Sequence, residues 1–172
     1  MGAGMDTGMG TRVDVRKDAR MDALALLQAE SQCRHLVIAA AEAVDHQHYE
    51  AFVACFTEDA VLQRPGGQPL TGRAAILVSY AQKSPHRLTQ HLLCNHRVVV
   101  DPAGWAESFC KVLLYASDQR REHGPQGRMA DSPHHVGQFQ DRLVLTPEGW
   151  RIQKRQAWFE FQMDARVASP PA

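Results

Sequence analysis

Thr89-Gln90-His91 opens an apolar run that continues to Val98-Val99-Val100, and Asp101-Pro102-Ala103-Gly104 then turns the chain into a second run, Trp105 to Tyr115. Two such runs joined by a short Asp/Pro/Gly segment read as a β-hairpin. A third run, Val136 to Leu145, is closed by Thr146-Pro147-Glu148-Gly149, and a fourth begins at Trp150-Arg151-Ile152. Four long strands in hairpin order after a helical first half predict an α+β domain: one curved antiparallel sheet with helices on one face. A concave sheet roofed by helices encloses a central apolar cavity, the default place for a small ligand. His91, near the start of a central strand, is a candidate to look into it.

Upstream of the hairpin the pattern is helical. Leu24, Leu27, Leu36, Val37, Ala40 and Val44 recur at helical spacing over Met21 to Val44. A break near Ser31-Gln32 would make four helices of three. Asp45-His46-Gln47-His48 interrupts the pattern, and Tyr49 to Phe56 reads as a short second helix. Ala60-Val61-Leu62 reads as a brief strand. Thr71 is a plausible N-cap for a third helix, Arg73 to Gln82, with Ile76, Leu77 and Tyr80 inward. Residues 1–20, rich in Gly, Met and mixed charges, are expected to be a disordered leader, residues 21–163 the domain, and residues 164–172 a flexible tail. Between the second and third strands, Ser117 to Pro133 is a long polar excursion that could cover a pocket.

Composition narrows the function classes. The chain has 172 residues with 19 basic and 19 acidic side chains, so nothing in its net charge favours nucleic acid or an anionic membrane. No apolar run reaches the ~20 residues a membrane span needs. Cys33, Cys55, Cys94 and Cys110 stand singly in apolar segments, which suits buried reduced thiols in a cytoplasmic protein. Nine histidines invite a metal reading. His46 and His48 are two apart and His134-His135 adjacent, spacings that lack the helical pair or Cys/His cluster of a zinc site, so no metal and no cofactor is expected.

Five pieces in order carry a resemblance: Phe56-Thr57-Glu58-Asp59-Ala60-Val61, Gly72-Arg73-Ala74-Ala75-Ile76, Thr89-Gln90-His91, Asn95, and Gly149-Trp150-Arg151-Ile152. Together, over about residues 24–162, they resemble the nuclear-transport-factor-2-like (NTF2-like) superfamily in its SnoaL-like branch. The resemblance implies an α+β cone, a strongly bent antiparallel sheet packed with three to four N-terminal helices around a cavity. Its scytalone dehydratases use an aspartate and a histidine where Val44-Asp45-His46 and Gln90-His91-Leu92 stand here. Such a pair has a purpose: the carboxylate fixes the imidazole tautomer, and the other ring nitrogen takes a proton next to a carbonyl. The dehydratases' second histidine corresponds to Tyr115, a possible proton donor, and their two tyrosines to Val44 and Arg64, so the substrate must differ. An inward Arg64 would suit a carboxylate or enolate.

Three relations between Asp45 and His91 stay open: a working dyad, a structural pair with Asp45 capping the next helix, or no contact. Asp141 is another candidate acid, since alternation puts it with Gly137, Phe139 and Leu143 on an apolar sheet face; Arg151 or Arg155 could instead neutralise it. Tyr49, Arg64, Tyr80, Asn95, Phe139 and Trp158 are the candidate substrate-binding residues. The resemblance implies a cofactor-free lyase or isomerase, dehydratase- or cyclase-like, acting on a small hydrophobic, cyclic or polyketide-like molecule. An alternative is a non-catalytic small subunit of an aromatic-ring-hydroxylating dioxygenase, which Gly137 to Asp141 and Trp150 to Ile152 also resemble. A third is a ligand-binding sensor module. Association through the outer sheet face, as a homodimer or homotrimer, is expected in any case.

Overall fold

The computed structural model describes residues 15–164, with side chains from residue 23 onward. Three helices, α1 (Val15–Asp45), α2 (Tyr49–Ala54) and α3 (Arg73–Ala81), pack on a six-stranded sheet. Its strands are β1 (Phe56–Gln63), β2 (Leu70–Thr71), β3 (Arg87–Asp101), β4 (Trp105–Asp118), β5 (His134–Thr146) and β6 (Gly149–Met163), in the order β2-β1-β6-β5-β4-β3. The four long strands pair antiparallel in hairpin order, as expected. One pairing departs from the expected pattern: β1 joins β6 in parallel, with Phe56 opposite Ile152 and Leu62 opposite Arg155. The chain reaches β3 at the far edge only after passing through β2 and α3, and β6 returns beside β1 running the same way, with a register break between Phe56 and Val61.

α1 runs 31 residues without a break. It begins six residues inside the expected leader; the rest of that leader, and residues 165–172 of the expected tail, lie outside the described residues. Cys33, Val37, Ala40, Ala41 and Val44 make its buried stripe. Leu24 and Leu27, at the same helical spacing, stay exposed. Thr71 is not a helix cap: it pairs with Val61 as the end of β2, and Gly72 turns the chain into α3 at φ +84°. The core centres on Phe52, Phe56, Leu62, Ile76, Leu143 and Ile152. Burying each such side chain contributes roughly 1.5–3 kcal/mol before its entropic cost.

The sheet bends where extra residues enter its ladders, between Cys94 and Arg97, Val136 and Gly137, and Arg142 and Leu143. At the first bulge Asn95 takes φ +50°, a conformation asparagine tolerates better than most residues. At the second, a Cβ on Gly137 would stand 2.3 Å from the Trp158 carbonyl oxygen, so only glycine lets β5 and β6 come this close. Of the cysteines, Cys33 and Cys110 are buried, whereas Cys55 is partly exposed and Cys94 exposed, short of the four buried thiols expected. No described helix is long and apolar enough to cross a membrane.

Candidate functional site

Between the concave sheet face and the helices lies a cavity of about 160 Å³. Its walls come from Ala40, Ala41 and Val44 of α1, Phe52 of α2, Leu62 of β1, Tyr80 of α3, Val112 and Leu114 of β4, Gly137 and Phe139 of β5, and Arg155 and Ala157 of β6. His91 of β3 completes one side, with its ring 6.1 Å from that of Phe139.

His91 Nδ1 stands 2.6 Å from Asp45 Oδ1. The contact is built by alternation on β3 and by the end of α1. Thr89 and His91, two apart, face the same way. The Thr89 hydroxyl donates to Asp45 Oδ1 at 2.7 Å, and the His91 backbone N–H donates to Oδ2 at 2.7 Å. Gln47, at φ +58°, ties the α1–α2 link to β3 by donating to the carbonyls of Pro85 and Arg87. Asp45 does not cap α2, whose N-cap is His48 without a side-chain bond.

Asp45 is only 8% exposed and His91 15%. Burial pushes the Asp45 carboxyl up, but hydrogen bonds and charge from His91, with the Thr89 hydroxyl, outweigh it and hold the group below its ordinary value. An ionised carboxylate only accepts, so in the neutral imidazole Nδ1 carries the proton and Nε2 the lone pair. No described residue hydrogen-bonds Nε2, and the ring borders the cavity.

The other expected site residues divide. Tyr80, Phe139 and Arg64 border the cavity together with His91. Arg64 donates to Ser79 Oγ at 2.7 Å. Tyr49 lies one layer out, its ring edge-on to Tyr80 in a side hollow with Gln47, Lys83 and Thr89. Tyr115 faces away from the cavity. His91 is opposite Leu114 and Gln90 opposite Tyr115, so period-2 alternation turns Tyr115 to the other face, against the His134 ring. Trp158 touches the cavity's edge, but its ladder partner is Gln138, which bonds Lys111 on the outer face, while Ala157 and Phe159 face inward. Asn95 is exposed at its bulge and borders no part of the cavity.

Asp141 is not a free acid. Both its oxygens accept from Arg155, at 2.8 and 2.7 Å, and the pair is buried. Burial pulls the Arg155 guanidinium down, yet the charge and hydrogen bonds of Asp141, with Cys110 and Tyr80 adding to them, together reverse this and raise it. Among the described residues no group of three or more His, Cys, Asp or Glu is arranged to hold a metal ion.

Lys83 was missed in the sequence. It sits just past α3 and borders the cavity, with Nζ 3.8 Å from the centre of the Tyr80 ring. Burial, then the nearby Arg64 and Arg87, bring its ammonium down to about 8, against an opposing pull from Asp45. Its only sequence signal is position: a lysine two residues after the last helical turn, next to Ser84-Pro85.

A family model described as the SnoaL-like domain matches residues 25–156. No curated protein matches the chain significantly. Among solved structures, an NTF2-like protein with a cystatin-like fold from Novosphingobium aromaticivorans superposes with a TM-score of 0.65 at 19% identity, covering 87% of this chain and 92% of that one. A provisionally named scytalone dehydratase from the same organism gives 0.65 at 18% identity over 89% of this chain and 94% of its own. ActVI-ORFA from Streptomyces coelicolor gives 0.62 at 13% identity over 76% and 96%. At such identities the likeness is one of fold.

Proposed function

This chain belongs to the SnoaL-like domain family, and from that premise we propose that it is a cofactor-free lyase or isomerase acting next to a carbonyl on a small hydrophobic, cyclic substrate. One observation carries the reading: an imidazole whose Nδ1 is 2.6 Å from a buried carboxylate, with its other nitrogen unpartnered at an apolar cavity. That arrangement suits a general base.

In the proposed reaction Nε2 of His91 takes the proton α to the carbonyl, and the electron pair of the broken C–H bond moves onto the carbonyl as an enolate. Asp45 holds Nδ1–H and stabilises the imidazolium that forms. The imidazolium then returns its proton, either to a β-hydroxyl that leaves as water or to another carbon of the enolate. One group serves as base and then as acid, so neither Tyr115 nor Asp141 is required. Positioned proton transfer of this kind is typically worth about 10² to 10⁴ in rate.

The size of the cavity bears on the substrate. An apolar cavity of roughly 150 Å³ holds a benzene-sized ring, so about 160 Å³ suits a single ring with its polar groups towards the mouth. The test is solvent-deuterium exchange α to the carbonyl of cyclohexanone and 3-hydroxycyclohexanone. The wild type should exchange these positions faster than buffer, and His91→Ala should lose that excess while remaining folded, at a melting point lowered by loss of the Asp45 contact. Exchange by His91→Ala at the wild-type rate would end the proposal.

A further inference from the structure

The charges that border the cavity do not balance. Arg155 is matched by Asp141, and His91 by Asp45. Arg64 and Lys83 also border it, and neither makes an ion pair among the described residues. Arg64 bonds a neutral hydroxyl, Ser79 Oγ, at 2.7 Å. Both cations lie against one aromatic ring, the Arg64 guanidinium 5.4 Å and the Lys83 ammonium 3.8 Å from the centre of Tyr80. Their proximity is electrostatically expensive: Arg64 is one of the groups that lower Lys83. Two partly buried cations over a shared ring, beside apolar walls that focus their field, form a place where an anion relieves repulsion instead of creating it.

We propose that Arg64 and Lys83 form an anion subsite that takes the carboxylate of a small hydrophobic acid, whose ring occupies the apolar part of the cavity beside Phe139 and His91. The inference rests on reading this cavity as the substrate site, and it does not depend on the chemistry at His91. It narrows the substrate to a cyclic carbonyl compound that also bears a carboxylate. The geometry also assigns Lys83 an electrostatic role and not a covalent one. An imine to a substrate carbonyl needs the neutral amine. Lys83, brought down only to about 8, is still mainly an ammonium at neutral pH, with its Nζ 3.8 Å from the centre of the Tyr80 ring.

The experiment compares phenylacetate with phenylacetamide, an uncharged molecule of nearly the same shape, by calorimetry or ligand-observed NMR on the full chain. Phenylacetate should bind about tenfold more tightly at low salt, the size expected when one partly desolvated charge is matched. Added salt should erode that preference and leave the amide unchanged. Lys83→Met and Arg64→Gln should each bring the acid down towards the amide. If either variant fails to fold, the salt titration on the wild type still decides. Equal binding of acid and amide, a salt-independent preference, or folded variants that keep the full preference would each overturn the subsite. So would a borohydride-trapped adduct of Lys83 with a carbonyl ligand. Loss of proton exchange in His91→Ala bears on the dyad, whereas loss of the acid-over-amide ratio in Lys83→Met or Arg64→Gln with proton exchange intact bears on the subsite alone.

Discussion

Asp45 grips His91 at both ends: Oδ1 lies 2.6 Å from the ring Nδ1, and Oδ2 accepts the His91 backbone N–H at 2.7 Å. One carboxylate at the end of α1 therefore sets the position of β3 and the orientation of the imidazole it carries. The Thr89 hydroxyl, bound to the same Oδ1, prevents the carboxylate from rotating away. The pair is a fold contact between helix and sheet as well as a means of placing a lone pair at the cavity.

Asp45→Asn separates these two roles. The amide oxygen can still accept a backbone or hydroxyl proton, but an NH₂ facing Nδ1 drives the imidazole proton to Nε2 and leaves no base towards the cavity. Proton-exchange activity should fall about 10²- to 10⁴-fold, with a fall in stability of only about 1.5–3 kcal/mol, the range for hydrogen bonds to a charged group. Nitrogen NMR of His91 should report the change of tautomer. A variant that unfolds yet, where folded, exchanges normally would mark Asp45 as structural only.

The depressed Asp45 carboxyl also gives a pH signature. Its ordinary value is 3.8 and its folded value is lower. In acid the folded state thus binds fewer protons than the unfolded chain, and stability rises with pH across that window. The contribution is complete above the ordinary value and is lost as pH falls through the folded one. The gap in denaturation midpoint between wild type and Asp45→Asn should be constant near neutrality and close below about pH 4.

Lys83 should make anion binding pH-dependent at the other end of the scale. Arg64 on the β1 side, Arg87 on β3, Asp45 at the end of α1 and the Tyr80 ring surround its ammonium, and it loses its proton near about 8. Phenylacetate affinity should therefore decline as pH rises through that value, while phenylacetamide affinity stays flat. In Lys83→Met the decline should vanish, which binding isotherms across the range would check.

How much of this was legible in the sequence follows from the length of the signal. The long strands announced themselves because runs such as Trp105 to Tyr115 persist over many alternations and end in Pro/Gly turns. Asp45 and His91 were legible because each sits in a short string that resembles one in the scytalone dehydratases, Val44-Asp45-His46 and Gln90-His91-Leu92. Tyr115 turns away from the cavity and Trp158 reaches only its edge because a side chain's face depends on register to the single residue, which strand patterning does not fix across bulges such as Cys94–Arg97 and Val136–Gly137. β1 gave no sign that it would pair in parallel with β6, a contact between strands about 90 residues apart in the chain. Lys83 carried no motif; its role comes from Arg64 and Tyr80, which the fold brings to it.

Gly137 shows how closely the cavity wall is fitted. Alanine there would place a methyl group 2.3 Å from the Trp158 carbonyl oxygen, which is backbone and cannot swing aside. β5 and β6 must separate at the bulge, at a cost of about 1–3 kcal/mol. The same displacement moves Phe139 and Ala157, so ligand affinity should fall along with the urea midpoint. A Gly137→Ala protein with wild-type stability would show that the two strands are not held at this spacing.

Asp141 and Arg155 allow a decision between catalysis and architecture. If Asp141 acted as the acid, Asp141→Asn would abolish exchange with little change in melting. Paired as it is, removing its charge leaves the Arg155 guanidinium buried without a counter-charge. The expected result is a loss of about 3–5 kcal/mol for Asp141→Ala, and a large loss for Asp141→Asn as well. Replacing both partners with apolar side chains, Asp141→Leu with Arg155→Met, should recover most of that loss, since a buried ion pair and a well-packed apolar pair are often similar in stability. The recovered double variant should also exchange α-protons measurably, because His91 and Asp45 are untouched. A double variant that is stable but inactive would instead return Asp141 or Arg155 to the chemistry.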